Sequence, residues 1–131
     1  MIKTIRIYFS HAIQGRTGTP GEISDNCRLA SAQAAFVRSY LGPGFEVYCP
    51  ADGDLSLQIA CRTGMLTVAQ IMEIDRQILM GCDTVLAMTG IPSKGVAQEI
   101  IWGRFYGLDM WKCGGTEYLE DICQEIKRAY E

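Results

Sequence analysis

An α/β domain, with a parallel sheet covered by helices on both faces, is the fold class this sequence predicts, and three observations predict it. Short runs rich in β-branched and aromatic residues alternate with longer stretches of helical period along the whole chain. The most apolar run, Asp83-Thr84-Val85-Leu86-Ala87-Met88, is nearly unbroken by polar groups, as a strand buried on both faces requires. A length of 131 residues and a hydrophobic content of 48% suit one core, so residues 1–131 are read as a single domain.

Lys3 to Phe9 is the first strand, and a polar, glycine-containing loop from Ser10 to Gly21 follows it. Ser24 or Asp25 is expected to cap a helix through Leu29, Ala32, Phe36, Val37 and Tyr40, which Leu41-Gly42-Pro43-Gly44 stops. Phe45 to Cys49 is a second strand. From Ala51 to Gly64 the pattern offers only a short helical turn at Leu55, Leu57 and Ile59. Met65 to Met80 has helical spacing and ends at Gly81; Asp83 to Met88 is the third, central strand. Pro92-Ser93 opens a helix from Lys94 to Tyr106, Leu108 to Cys113 is a fourth strand, and Thr116 caps a last helix through Leu119, Ile122 and Ile126. In such a sheet a ligand lies beyond the carboxyl ends of the strands, which singles out the loops Ser10–Gly21 and Thr89–Ser93.

Composition narrows the partners. Twelve Lys+Arg against 15 Asp+Glu leave a formal charge of −3 with no basic block, which disfavours polymeric nucleic acid. No apolar run approaches the roughly 20 residues that span a bilayer, and Lys3 and Arg6 interrupt the start. The expectation is a soluble cytoplasmic protein without membrane contact. Its six cysteines, widely and irregularly spaced, read as reduced thiols. No pair has CxxC spacing and the single histidine is His11, so a metal site is not expected.

Two carboxylates stand in unusual places. At about 100° per residue, Val68, Ile71, Met72, Ile78 and Leu79 share one arc, and Asp75 falls inside it while Gln70, Glu73, Arg76 and Gln77 lie opposite. An ionised carboxylate on a core-facing stripe is costly unless it is hydrogen-bonded, paired or open to a cleft. Either a structural Asp bonded to a neighbouring loop or a functional acid answers that cost. In the later helix, Glu99 sits at the edge of an apolar face built on Val96, Ala97, Ile100 and Ile101, about 60° from Val96. A helix-surface glutamate is commonly a solvated charge. This helix, however, follows the central strand, and its start at Pro92-Ser93-Lys94-Gly95 offers unpaired N–H groups, a hydroxyl and close approach at Gly95 to a small anion. Two acids near one strand end, with Tyr8 beside them, would suit cleavage of a glycosidic bond.

Taken together, Ile7-Tyr8-Phe9 with Ile13 and Gly15, the run Asp75-x7-Asp83-Thr84-Val85-Leu86-Ala87, and Pro92-Ser93-x-Gly95-Val96-x-x-Glu99 resemble the nucleoside 2-deoxyribosyltransferase superfamily. The closest likeness is to its small branch of 2′-deoxynucleoside 5′-monophosphate N-glycosidases. The resemblance implies a flavodoxin-like three-layer sandwich on a mostly parallel sheet of four to five strands. It implies that Glu99 attacks the anomeric carbon to form a covalent glycosyl-enzyme, that Asp75 handles the proton on the base, and that Tyr8 orients Glu99 against the sugar. Ser93 and the adjacent amides, with Gly95, would hold a 5′-phosphate, and Phe9, Ile13 and Gly15 would lie beside the substrate; His11 and Arg16 of the same loop are further candidate substrate contacts. It also implies a homodimer or higher homo-oligomer, and no cofactor. Ala97-Gln98 before the glutamate, and His11 and Gln14 in the loop, depart from the family pattern, leaving Arg16 and Lys94 as cations for the phosphate.

The expected function is therefore N-glycosidase cleavage of a nucleoside 5′-monophosphate. A deoxyribosyltransferase that exchanges bases, a non-catalytic nucleotide-binding module and a purely structural subunit are its rivals, because a fold does not by itself fix a function.

Overall fold

The computed structural model describes residues 3–52 and 63–131. Its centre is a four-stranded parallel sheet in the order β2-β1-β3-β4, formed by β1 (Ile5–Ser10), β2 (Phe45–Tyr48), β3 (Thr84–Met88) and β4 (Asp109–Cys113). Helices α1 (Pro20–Leu41), α2 (Val68–Met80), α3 (Lys94–Phe105) and α4 (Leu119–Ala129) flank it. The α/β class and the flavodoxin-like layering expected from the sequence are what the chain adopts.

Strand order dictates the layers. From β1 the chain steps outward to β2, then crosses back over β1 to β3 and on to β4, so its direction along the sheet reverses between β1 and β3. Right-handed crossovers then place α1 on one face and α2 with α3 on the other. Alternate residues of each strand feed the two cores. Ile7, Phe9, Leu86, Met88 and Cys113 pack with Ala34 and Val37 of α1 and with Leu119, Cys123 and Ile126 of α4. Tyr8, Val85 and Ala87 pack with Leu79 of α2 and Val96 of α3. Every residue of β3 is buried, which explains the unbroken apolar run.

Several expectations need correction. Helix α1 starts at Pro20, not after Ser24 or Asp25: the Thr19 hydroxyl accepts from the Glu22 N–H, and Pro20 occupies the first turn, where no N–H is needed. Its buried face is Asn26, Ala30, Gln33, Ala34, Val37 and Leu41, whereas Leu29, Ala32 and Phe36 are exposed. Small alanines let the helix lie close to the sheet, so the alanine face packs inward in preference to the one that carries Leu29 and Phe36. Thr116 does not cap the last helix. It begins a 3-10 turn (Thr116–Tyr118), and its hydroxyl accepts from Gln33 Nε2 at 2.8 Å, tying α1 to the end of β4. Helix α2 begins behind a Thr67/Gln70 capping box, later than Met65. The helical turn expected at Leu55, Leu57 and Ile59 lies outside the described residues.

Helix α3 starts where expected, with Ser93 Oγ accepting from Val96 N–H at 3.2 Å. Its buried stripe is Val96, Glu99 and Gly103; Ala97 and Ile101 face outward. Glu99 is thus in the middle of the packed face and not at its edge. Among the described residues no helix is long and apolar enough to cross a membrane.

The loops after β3 and β4 meet closely at Gly90, where an ideal Cβ would lie 2.3 Å from the Gly114 carbonyl oxygen. Neither backbone can retreat without loosening the carboxyl end of the sheet. Gly90→Ala is expected to destabilise the protein by roughly 1–3 kcal/mol, the usual cost of overpacking, read as a lower urea midpoint at unchanged slope.

Candidate active site

The reversal of chain direction between β1 and β3 opens the place where open α/β sheets take ligands. Period-two geometry sends Tyr8 and Ser10 from β1 to the α2/α3 face, and α3 returns over β3 with Glu99 in its second turn. The three side chains meet: the Tyr8 hydroxyl donates to Glu99 Oε2, and Ser10 Oγ donates to Oε1 at 2.8 Å. Tyr8 and Ser10 are fully buried and Glu99 is 8% exposed. A buried carboxylate is tolerable only when its oxygens are hydrogen-bonded, and here each oxygen has its own hydroxyl.

A second tyrosine joins the cluster through sheet register. Tyr48 pairs with Tyr8 across β1 and β2, and their rings lie 5.4 Å apart between centroids. The Tyr48 hydroxyl donates a long bond of 3.5 Å to Oδ1 of half-buried Asp75 on α2. Burial first, then the charges of Glu99 and Asp75, push the Tyr8 hydroxyl far above the ordinary tyrosine range. Tyr8 is therefore a permanent donor, and both acids of the expected site bear on it.

The remaining expected residues divide between two places. Ser93 and Gly95 open α3, one turn before Glu99; Gly95 is exposed, and a Cβ there would meet only Ser93 Oγ at 3.6 Å. The others hold the framework together. Phe9 points into the opposite core, as the neighbour of Tyr8 in a strand must. His11 is buried against Phe9; its Nε2 accepts from Ala51 N–H at 3.1 Å and its Nδ1 faces the Ala12 carbonyl at 3.0 Å, which makes Nδ1 the protonated nitrogen. Ile13 gives its carbonyl to Asn26 Nδ2 at 3.0 Å. Gly15 adopts φ +65°, and a Cβ there would collide with the Glu22 carboxylate. That carboxylate accepts from the N–H groups of Arg16 at 2.6 Å and Thr17 at 3.0 Å and from the Thr17 hydroxyl, and these bonds hold its pKa below the usual range. The Arg16 side chain is exposed.

Ser10 and Tyr48 were not anticipated from sequence. Ser10 was within reach of the period-two rule, since it shares a strand face with Tyr8; Tyr48 becomes a neighbour only once the β1–β2 register is known.

Cavities lie on either side of this cluster. A groove of about 330 Å³ between β2 and α2 is lined by Arg6, Glu46, Tyr48, Gln77 and Cys82, and touches the acids' surroundings only through Tyr48. A cavity of about 40 Å³ on the α1 face is bounded by His11, Asn26, Gln33 and Gly90. Among the described residues no group of three or more His, Cys, Asp or Glu side chains is gathered to hold a metal ion. No protein-family model matches the chain, and no curated protein matches it.

The Tyr8 proton links stability to pH. Its folded pKa lies above the unfolded value of 10.0, so stability is complete below that pH and falls as pH rises past it, where the unfolded chain releases a proton that the folded one keeps. Unfolding free energies measured on both sides of that pH should show a shallower alkaline fall for Tyr8→Phe than for the unaltered protein. Equal slopes would contradict the assignment.

Proposed function

We propose that the chain is an N-glycosidase that cleaves the base–sugar bond of a nucleoside 5′-monophosphate, most fittingly a 2′-deoxynucleotide. The observation that carries this reading is the convergence of the two acids on an adjoining tyrosine pair at the switch point of the sheet: Glu99 accepts from Tyr8, Asp75 accepts from Tyr48, and the two rings lie 5.4 Å apart. Glu99 attacks the anomeric carbon as the C1′–N bond breaks. The electron pair of that bond leaves with the base, which takes a proton from Asp75. Water then opens the glycosyl ester, passing its proton to Asp75 and returning Glu99 as a carboxylate. Tyr8 donates to the nucleophile throughout. Ser93 and the first amides of α3 take the 5′-phosphate, with Lys94 or Arg16 supplying positive charge. A second base in place of water turns the same intermediate into a deoxyribosyltransferase product. A cytoplasmic site of action belongs to the same reading.

Copies of the chain associate in this reading. Ala97, Ile101 and Phe105 form an outward stripe at four-residue spacing on α3, with Ile101 59% and Phe105 82% exposed, and Met72 and Met80 of α2 are also exposed.

Incubation with single nucleotides should release free base, and an added second base separates transfer from hydrolysis. Glu99→Ala should lower the rate on the order of 10³-fold or more, as expected for loss of a covalent nucleophile. Full turnover by that variant defeats the mechanism; tight nucleotide binding without base release favours a binding module. Native mass measurement should give a dimer that Phe105→Glu converts to monomer, and an unchanged mass would refute the association.

A further inference from the structure

Glu99 is held by two hydroxyls of one strand. Tyr8 engages Oε2, and Ser10, two residues on, engages Oε1 at 2.8 Å. The two donors differ in reach. Tyr8 brings its hydroxyl from the far end of a ring, whereas Ser10 carries its own on a single carbon. Ser10 is the last residue of β1, fully buried and paired with Ala87 of β3, so its hydroxyl is anchored at the carboxyl end of the two central strands. The carboxylate it meets hangs from a helix by three side-chain torsions. One donor leaves a carboxylate free to swing about that bond, but separate donors on both oxygens fix its plane.

We propose that Ser10 is a positioning residue for glycosyl transfer, pinning Oε1 of Glu99 so that the carboxylate plane stays aimed at the anomeric carbon. This role rests on the N-glycosidase reading. In the attack, a lone pair on one Glu99 oxygen forms the new C1′–O bond while the C1′–N electron pair departs with the base and Asp75 supplies the proton. The other oxygen becomes the ester carbonyl and keeps its hydroxyl donor. Ser10 is fully buried and acts on the sugar only through Glu99. Its loss therefore affects alignment in the transition state and leaves substrate binding alone.

The test measures base release by the full-length protein from the four common 2′-deoxynucleoside 5′-monophosphates, with Ser10→Ala and Ser10→Thr beside the unaltered chain and unfolding midpoints taken for each. Ser10→Ala should lower kcat roughly 10- to 100-fold, the range for losing a hydrogen bond to a charged group, with KM nearly unchanged. Ser10→Thr retains the hydroxyl and should recover most of the rate. A normal kcat for Ser10→Ala, a loss confined to KM, or a threonine variant as slow as the alanine one at an equal midpoint would each overturn the role while leaving the reaction intact. Absence of base release by the unaltered protein would overturn the N-glycosidase reading and this role with it.

Discussion

A carboxylate inside a protein must be satisfied, and the bonding of Glu99 to the hydroxyls of Tyr8 and Ser10 is the constraint around which this end of the molecule is organised. Burying an unpartnered carboxylate would cost several kcal/mol, on the order of the whole stability of a small domain. Two hydroxyls from consecutive inward positions of one strand meet that demand only if α3 lies directly over β1 and β3. Gly103, in the buried stripe one turn beyond Glu99, fits against Val85 and Met110, so backbone packing and polar satisfaction ask for the same helix position.

The electrostatics of the cluster follow from the same burial. Tyr8 keeps its proton because burial first, and the acids near it second, oppose its ionisation. A phenol held neutral in this way stays a donor to Glu99. Asp75 is half-buried and accepts a long bond from Tyr48, whereas Glu99 is buried.

Away from the acids, polar residues of the β1 loop bind to the protein itself. His11 joins the loop to the turn after β2, and Glu22 folds the backbone of Arg16 and Thr17 around its own carboxylate. Arg38 and Ser31 of α1 hold Asp52 in that same turn. The carboxyl ends of β1 and β2 are thereby tied to α1, which steadies Tyr8, Ser10 and Tyr48 from below. A loop of this kind serves as scaffold as much as binding surface, which is why several of its residues point away from Glu99.

Local chemistry was legible in the sequence because local rules decide it. Alternating strand and helix periods gave the parallel sheet, Pro92-Ser93 marked the start of α3, and the helical projection exposed Asp75 as an acid among apolar neighbours. Period two could also have sent Phe9 away from Tyr8 and brought Ser10 beside it. Three features were beyond any local rule: the face of α1, where alanines outrank Leu29 and Phe36; the meeting of Tyr48 with Tyr8; and the burial of Glu99. Each depends on which strands pair and how closely a helix approaches them. Element type is set by neighbours a few residues away along the chain, whereas burial and register are set by neighbours dozens of residues away, which only the packed sheet brings together.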